Sequence, residues 1–92
     1  MKPNERMNHD GRVKLILEAL HDAKGFDIVT LDIRPLADFT DTMVIVNGNS
    51  TRHVITLAEK VVEKLGQHGI KSVGVEGLDT AEWVLIDAGD VV

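Results

Sequence analysis

The order of two hydrophobic periodicities along the chain constrains its fold more than any other feature of the sequence. A stretch with helical spacing comes first and two β-branched runs follow it. A second helical stretch and two further short runs complete the pattern. Elements in the order α, β, β, α, β, β within 92 residues predict a mixed α/β domain. A chain of this length forms one modest core, because it buries only about 60 to 65% of its unfolded surface.

Both predicted helices are defined by apolar residues that recur at intervals of three and four. The first stretch carries four of them: Val13, Ile16, Leu17 and Leu20. Gly25 is a stop signal after this stretch, which predicts a helix over residues 11–24. The second stretch follows a cap at Asn49 or Ser50 and predicts a helix over residues 51–67.

Four strands are predicted from β-branched content and turn signals. They cover residues 27–33, 42–46, 72–76 and 82–87, and Val91 begins a fifth. The continuous apolar run of the second strand predicts burial on both of its faces. We expect a two-layer fold in which one mixed sheet carries the helices on one face. Strands 2 and 3 should be parallel across the second helix, and strands 4 and 5 should form an antiparallel hairpin.

Charge and composition narrow the classes of partner. Fifteen acidic and ten basic side chains give a net charge of -5, which disfavours a generic phosphate-binding groove and favours either a basic partner or simple solubility. The absence of cysteine excludes disulfides and thiol chemistry. No apolar run reaches the roughly 20 residues of a membrane span, so we expect no membrane partner and a cytoplasmic location. Residues 1–9 are polar and predict a flexible arm before a single domain over residues 10–92.

A glycine turn at the start of the second helix is the first candidate binding site. Ser50 and Arg52 follow Gly48 there, and a helix N-terminus directs free N–H groups and a positive dipole at an anion. The functional interpretation is a phosphate, carboxylate or RNA contact. The alternative is an ordinary helix cap, which every helix requires. Neither a P-loop nor a Gly-x-Gly-x-x-Gly motif accompanies the turn.

Metal-dependent catalysis is disfavoured by the placement of the acidic residues. Nucleotidyl transfer needs two carboxylates on the strand after such a helix, and the predicted third strand offers only Glu76. Asp87 and Asp90 lie in a glycine turn, where acidic side chains commonly cap the backbone. The four histidines lack metal-binding spacing and are expected on surfaces or helices. We therefore predict no enzyme activity, cofactor or metal.

Trp83 is the strongest candidate for a contact with a partner. In an alternating strand it shares a face with Leu85 and Asp87, while Val84 and Ile86 share the other face with Glu82. Tryptophan is enriched at interface hot spots, and the surrounding carboxylates would favour a basic surface. The alternative is that Trp83 belongs to the core, because the chain has few aromatic residues.

Several short motifs occur together in a characteristic order. They are Asp27-Ile28-Val29 with Leu31-Asp32, Thr40-Asp41 before an apolar strand, Gly48-x-Ser50-x-Arg52-His53-Val54, Gly74-Val75-Glu76-Gly77, and Glu82-Trp83-Val84-Leu85-Ile86-Asp87-x-Gly89-Asp90-Val91-Val92. The ordered set resembles the ribosomal silencing factor family, also called the Iojap-like or RsfS family. The resemblance covers residues 13–92.

This resemblance implies a fold and a function. Members of the family are similar to nucleotidyltransferases in fold but lack the catalytic acids. The resemblance implies binding to the large ribosomal subunit through its protein fourteen, which would block association with the small subunit and repress translation under nutrient limitation. It nominates partner-binding residues, namely Trp83, Glu76, Asp41, Asp87, Asp90 and Leu85. Ser50 or Arg52 would make a peripheral contact with ribosomal RNA. A divergent nucleotidyltransferase-like protein that binds phosphate or a nucleotide is the alternative.

The end of the sequence gives a further expectation. Members of the family continue past the position of Val92 into an aromatic and basic segment, so we expect a domain truncated at its C-terminus. An edge left by the missing segment would favour a homodimer off the ribosome. A bacterial cytoplasmic source is expected, with an organellar homologue as the alternative.

Overall fold

The computed structural model describes residues 9–36, 40–70 and 73–92. Two helices and four strands occur in these ranges. They are α1 (His9–Asp22), β1 (Phe26–Asp32), β2 (Thr42–Asn47), α2 (Thr51–Gln67), β3 (Gly74–Glu76) and β4 (Leu85–Asp87). The predicted arm over residues 1–9 lies, apart from its last residue, outside the described residues, as does the predicted start of strand 3 at Ser72. No described helix is long and apolar enough to cross a membrane.

The two helices pack against each other and form the centre of the core. Their apolar stripes place Ile16 and Leu20 of α1 with Leu57, Val61 and Leu65 of α2 in one buried cluster. The predicted bounds of α2 are confirmed at both ends, because a capped start and a strong helical period define this helix locally. The first helix begins and ends two residues earlier than predicted.

The strands form two antiparallel pairs. In the first, β1 pairs with β2, with Val29 opposite Ile45 and Leu31 opposite Met43. In the second, β3 pairs with β4. The predicted mixed α/β class is confirmed, but no ladder joins the two pairs into a single hydrogen-bonded sheet within the described ranges. Strands 2 and 3, expected to be parallel across α2, are not hydrogen-bonded to each other within the described ranges, where β3 pairs with β4 across the loop of residues 77–84.

The parallel neighbour of β2 is the last segment of the sequence. Val91 lies opposite Thr42 in a parallel bridge, and the Val92 N–H donates to the Thr42 carbonyl at 3.0 Å. The Val44 N–H donates to the Val92 carbonyl at 2.8 Å. A tight turn precedes this segment, in which the Ala88 N–H donates to the Val91 carbonyl and Gly89 has a φ of 86°. The predicted hairpin of strands 4 and 5 is therefore reduced to this turn.

Both helices lie on one face of the strands, as predicted. Ile28, Val44, Val46 and Ile86 point toward the helices and pack against the buried cluster. Ile45 lies between two of these residues and is 45% exposed, since successive side chains of a strand point to opposite faces. The prediction that the second strand is buried on both faces is wrong, because helices cover only one face in the described ranges.

Two arginines make hydrogen bonds at the connections between elements. Nη1 of Arg12 in α1 donates to the Ala88 carbonyl at 2.7 Å, which ties α1 to the turn after β4. After β1, Arg34 donates through Nε and Nη2 to the two carboxylate oxygens of Asp32. This hydrogen-bonded pair raises the pKa of Arg34, through the hydrogen bond first and the charge of Asp32 second. The pair is exposed to solvent, so it contributes little to stability.

Candidate functional site

The face of the strands that points away from the helices is apolar. We call it the open face, and it consists of Val29, Leu31, Met43, Ile45, Trp83 and Leu85. Cross-strand pairing places Val29 beside Ile45 and Leu31 beside Met43. Met43 and Ile45 line the same cleft as Trp83 and Leu85, so the two pairs of strands contribute to one surface.

Trp83 stands at the edge of the open face and is 64% exposed. The alternative that it belongs to the core is therefore wrong. It does not lie within a strand as predicted, because β4 begins at Leu85 and residues 82–83 form a bend. The exposed fraction is large for a tryptophan, which ordinarily loses most of its surface on folding.

A close backbone contact holds the Trp83 loop in position. Gly77 has a φ of 94°, and a Cβ at this position would collide with the Trp83 carbonyl oxygen. The Ala81 N–H donates to the Gly77 carbonyl at 2.9 Å, and the Ala81 side chain is buried. Glycine is required at residue 77 for both the backbone conformation and the close approach. The tryptophan is thus presented by a tethered loop.

The acidic residues of the predicted site fall into two groups. Glu76 is the cross-strand partner of Leu85 in the β3 and β4 pair, which places its carboxylate beside the open face. Asp41 and Asp90 are joined through the backbone, since the Asp41 N–H donates to the Asp90 carbonyl at 2.9 Å. They lie where β2 begins. Both groups lie on the strands or on the turns that follow them, and neither lies on a helix.

Asp87 lies in the sequence between β4, which pairs with the strand of Glu76, and the turn that contains Asp90, and its side chain has a local structural role. Its Oδ1 accepts a hydrogen bond from the Gly89 N–H at 3.0 Å, which shapes the turn toward Asp90. This contact is the turn-capping role that the sequence offered as the simpler interpretation. The Asp87 side chain nonetheless remains exposed at the end of β4.

Ser50 and Arg52 lie at the opposite end of β2 from the Asp41 group. The six residues of β2 separate the two ends by about 20 Å. Ser50 is the N-cap of α2, and its Oγ accepts a hydrogen bond from the His53 N–H at 3.1 Å. The Arg52 side chain is exposed. The structure therefore brings Trp83, Leu85 and Glu76 together and leaves Ser50 and Arg52 apart from them.

His53 completes the cap of α2 and was expected only on a surface or helix. Its Nδ1 accepts a hydrogen bond from the Asn49 N–H at 2.9 Å. Its Nε2 lies 2.8 Å from the Ala23 carbonyl, so Nε2 carries the proton and donates it. Two N–H groups at the helix start are thus satisfied internally. These contacts favour the helix-cap interpretation of the glycine turn over an anion site.

Sequence reasoning missed most of the open face. Val29 and Leu31 are two positions apart in β1 and so point to the same face of the strand. This spacing of two was the signal in the sequence that could have identified them as part of an exposed apolar face. Ile45 was hidden in a continuous apolar run, which gives no such signal. Among the described residues, no three His, Asp or Glu side chains are placed to hold a metal ion. The candidate site consists of an apolar face with acidic residues beside it.

Comparisons with known proteins agree in placing the chain near one family. Residues 6–92 match the family model described as "Ribosomal silencing factor during starvation". The chain is 48% identical over 79 residues to a protein of Chromobacterium violaceum named ribosomal silencing factor RsfS, covering 86% of this chain and 65% of that protein. The chain thus spans just under two thirds of this curated relative.

Two further similarities concern structure and a more distant relative. A crystal structure of a protein from Chromobacterium violaceum superposes with a TM-score of 0.85 at 43% identity, covering 89% of this chain and 68% of that one. A mouse protein named "Mitochondrial assembly of ribosomal large subunit protein 1" is 28% identical over 83 residues, which is 87% of this chain and 36% of that protein.

Proposed function

The chain belongs to the ribosomal silencing factor family, and we propose that it binds the large ribosomal subunit and prevents that subunit from joining the small one. The family name supports a role in translation regulation at the ribosome. The name of the mouse relative, which refers to the large subunit, favours that subunit as the partner. The word starvation in the family description supports repression during nutrient limitation.

One observation carries the proposal: an apolar open face ends in a tryptophan that is 64% exposed. Monomeric proteins rarely expose large contiguous apolar patches unless a partner covers them. A buried aromatic anchor with apolar neighbours is the usual centre of a protein interface. We therefore assign the contact to Trp83, Leu85 and the adjacent open face.

The acidic residues indicate the chemistry of the partner. Glu76 borders the open face, and Asp41, Asp87 and Asp90 lie on the same strands and turns. Carboxylates in such positions increase the rate of association with a basic surface and contribute to specificity. A basic surface on a protein of the large subunit fits this arrangement better than exposed RNA phosphates, which would be repelled. We propose large-subunit ribosomal protein fourteen as this partner, which the family resemblance implies.

The proposed mechanism is steric and requires no catalysis. A folded domain bound where the subunits meet excludes the small subunit by its volume. The contacts of Ser50 and His53 at the start of α2 support a structural role there, so the proposal assigns no substrate or cofactor to this turn. Binding alone, at sufficient occupancy, would then repress translation.

The experiment is a sedimentation assay with purified ribosomal subunits. The chain should sediment with large subunits and not with small subunits, and its addition should reduce the fraction of joined ribosomes. A Glu76→Lys variant should bind more weakly because it reverses a charge beside the open face. Glu59→Lys is the matched control, since Glu59 is an exposed acidic residue of α2. Sedimentation with small subunits alone, or with neither subunit, would overturn the proposal.

A further inference from the structure

Arg12 interrupts the apolar stripe of α1. Helical spacing places it on the same face as Leu15, Ile16 and Ala19, all of which are buried. The Arg12 side chain is half-buried, and its Nε is buried without a hydrogen-bond partner among the described residues. Burial of such a donor costs free energy, and an apolar side chain would pack at this position without that cost. Packing of the stripe therefore does not explain this arginine.

The guanidinium of Arg12 lies over the turn after β4. Its Nη1 donates to the Ala88 carbonyl at 2.7 Å, and a Cβ added to Gly89 would lie 2.9 Å from the same nitrogen. The Ala88 side chain is buried, so the turn has little freedom to move toward the core. The turn thus packs directly against the guanidinium.

The same turn sets the position of two acidic residues of the candidate site. The Asp90 carbonyl accepts hydrogen bonds from the Asp41 N–H at 2.9 Å and from the Thr42 N–H at 3.1 Å. Val91, the next residue, is fully buried and pairs with Thr42 at the start of β2. The backbone around Asp41 and Asp90 is therefore fixed by the turn that Arg12 contacts.

We infer that Arg12 is a positioning residue for the acidic end of the proposed interface, which consists of Asp41 and Asp90. It acts through the turn after β4 and not through a contact of its own with the partner. Holding the turn in one arrangement places both carboxylates before binding, which lowers the cost of ordering them against a basic surface. The inference rests on the proposed function, because it concerns binding to the large subunit.

The test compares Arg12→Met with the native chain. Methionine keeps an unbranched stem and removes the donor, so the urea midpoint of unfolding should stay close to that of the native chain. Affinity for large subunits should nevertheless fall by about three- to tenfold, as for residues that modulate binding without contacting the ligand. Loss of a positive charge alone would strengthen attraction to a basic surface, so a fall in affinity separates positioning from net charge.

Amide hydrogen exchange measures the turn in the absence of ribosomes. The Asp41 and Thr42 N–H groups should exchange faster by about tenfold or more in Arg12→Met. The Val61 N–H within α2 is the internal control and should not change. Arg12→Lys keeps a donor and should return both exchange and affinity toward the native values. Unchanged exchange at Asp41 and Thr42 in Arg12→Met would overturn the inference.

A background with both Asp41→Asn and Asp90→Asn completes the experiment. These two substitutions should weaken binding by themselves, and Arg12→Met should then cause little further loss. An undiminished loss in this background, or native affinity in Arg12→Met alone, would overturn the inference and leave the proposed function standing. A urea midpoint of Arg12→Met as low as that of Leu65→Ala would show a purely structural role and would also overturn it. Failure of the native chain to bind large subunits would instead overturn the proposed function, and this inference with it.

Discussion

The two faces of β2 consist of similar residues in opposite surroundings. Val44 and Val46 pack against the helices, whereas Ile45 on the other face is 45% exposed. Burial on the helix side contributes to stability because apolar surface is removed from water. The open face contributes little to the folded chain alone, and its apolar character is explained if a partner covers it. Stability and binding are therefore expected to respond to different substitutions.

The largest expected effect on the helix side is that of Leu65→Ala. Leu65 is fully buried between the helices, so its truncation should lower the free energy of unfolding by about 2 to 5 kcal/mol. Urea denaturation followed by circular dichroism measures the change. Leu36→Ala is the matched control, since Leu36 is 86% exposed and its loss should have little effect. Similar losses in the two variants would mean that Leu65 is not part of a packed core.

The largest expected effect on the open face is that of Trp83→Ala. Loss of an interface anchor should cost about 2 kcal/mol of binding, or about 30-fold in affinity for large subunits. The free energy of unfolding should change by no more than about 0.5 kcal/mol, because the side chain is mostly exposed. A sedimentation titration and a denaturation curve on the same sample separate the two quantities. A stability loss as large as that of Leu65→Ala would contradict the comparison.

A smaller effect is expected at the start of α2, away from both faces. Ser50→Ala removes the oxygen that accepts the His53 N–H and should lower the free energy of unfolding by about 1 kcal/mol. Binding to large subunits should not change. Ser50→Asp keeps a capping oxygen and should retain stability in the same denaturation experiment. Weaker subunit binding by Ser50→Ala, with stability intact, would show that this turn belongs to the interface after all.

The smallest effect is expected from Ile45→Thr on the open face. Threonine keeps a β-branched shape, so stability should change by no more than about 0.5 kcal/mol. Affinity for large subunits should fall only a few-fold, because Ile45 is a neighbour of the proposed anchor Trp83 and residues around an anchor contribute less binding energy than the anchor itself. Val44→Thr makes the same kind of change on the helix side, where it should reduce stability instead. Identical behaviour of the two variants in denaturation would remove the distinction between the faces.

Local features of the sequence were sufficient for the elements but not for their arrangement. Periodicity and a capping serine placed α2 at its observed bounds. The pairing of β3 with β4 crosses the loop of residues 77–84, which carries no hairpin-turn motif such as Asn-Gly or Asp-Gly. The parallel contact of Val91 with Thr42 joins residues far apart in the sequence. Such pairings are decided by packing of the whole chain.

The candidate site was predictable only where local motifs of the sequence define it. The motifs placed Trp83, Leu85 and Glu76 in one set, and the structure brings them together. Ile45 was predicted to be buried because a continuous apolar run does not reveal which face a helix covers. The role of His53 depends on the Ala23 carbonyl, which lies 30 positions away in the sequence. The direction of a side chain across that separation has no signature in sequence spacing.

The hydrogen bond from Arg12 to the Ala88 carbonyl has a consequence for the timing of folding. It joins positions 76 residues apart, so this tie between α1 and the turn after β4 forms only after Ala88 has been synthesised. At usual synthesis rates this interval is about 4 to 15 seconds. During that time the apolar stripe of the first helix lacks its final neighbours. Until the turn after β4 has been synthesised, this stripe is open to aggregation or to chaperones.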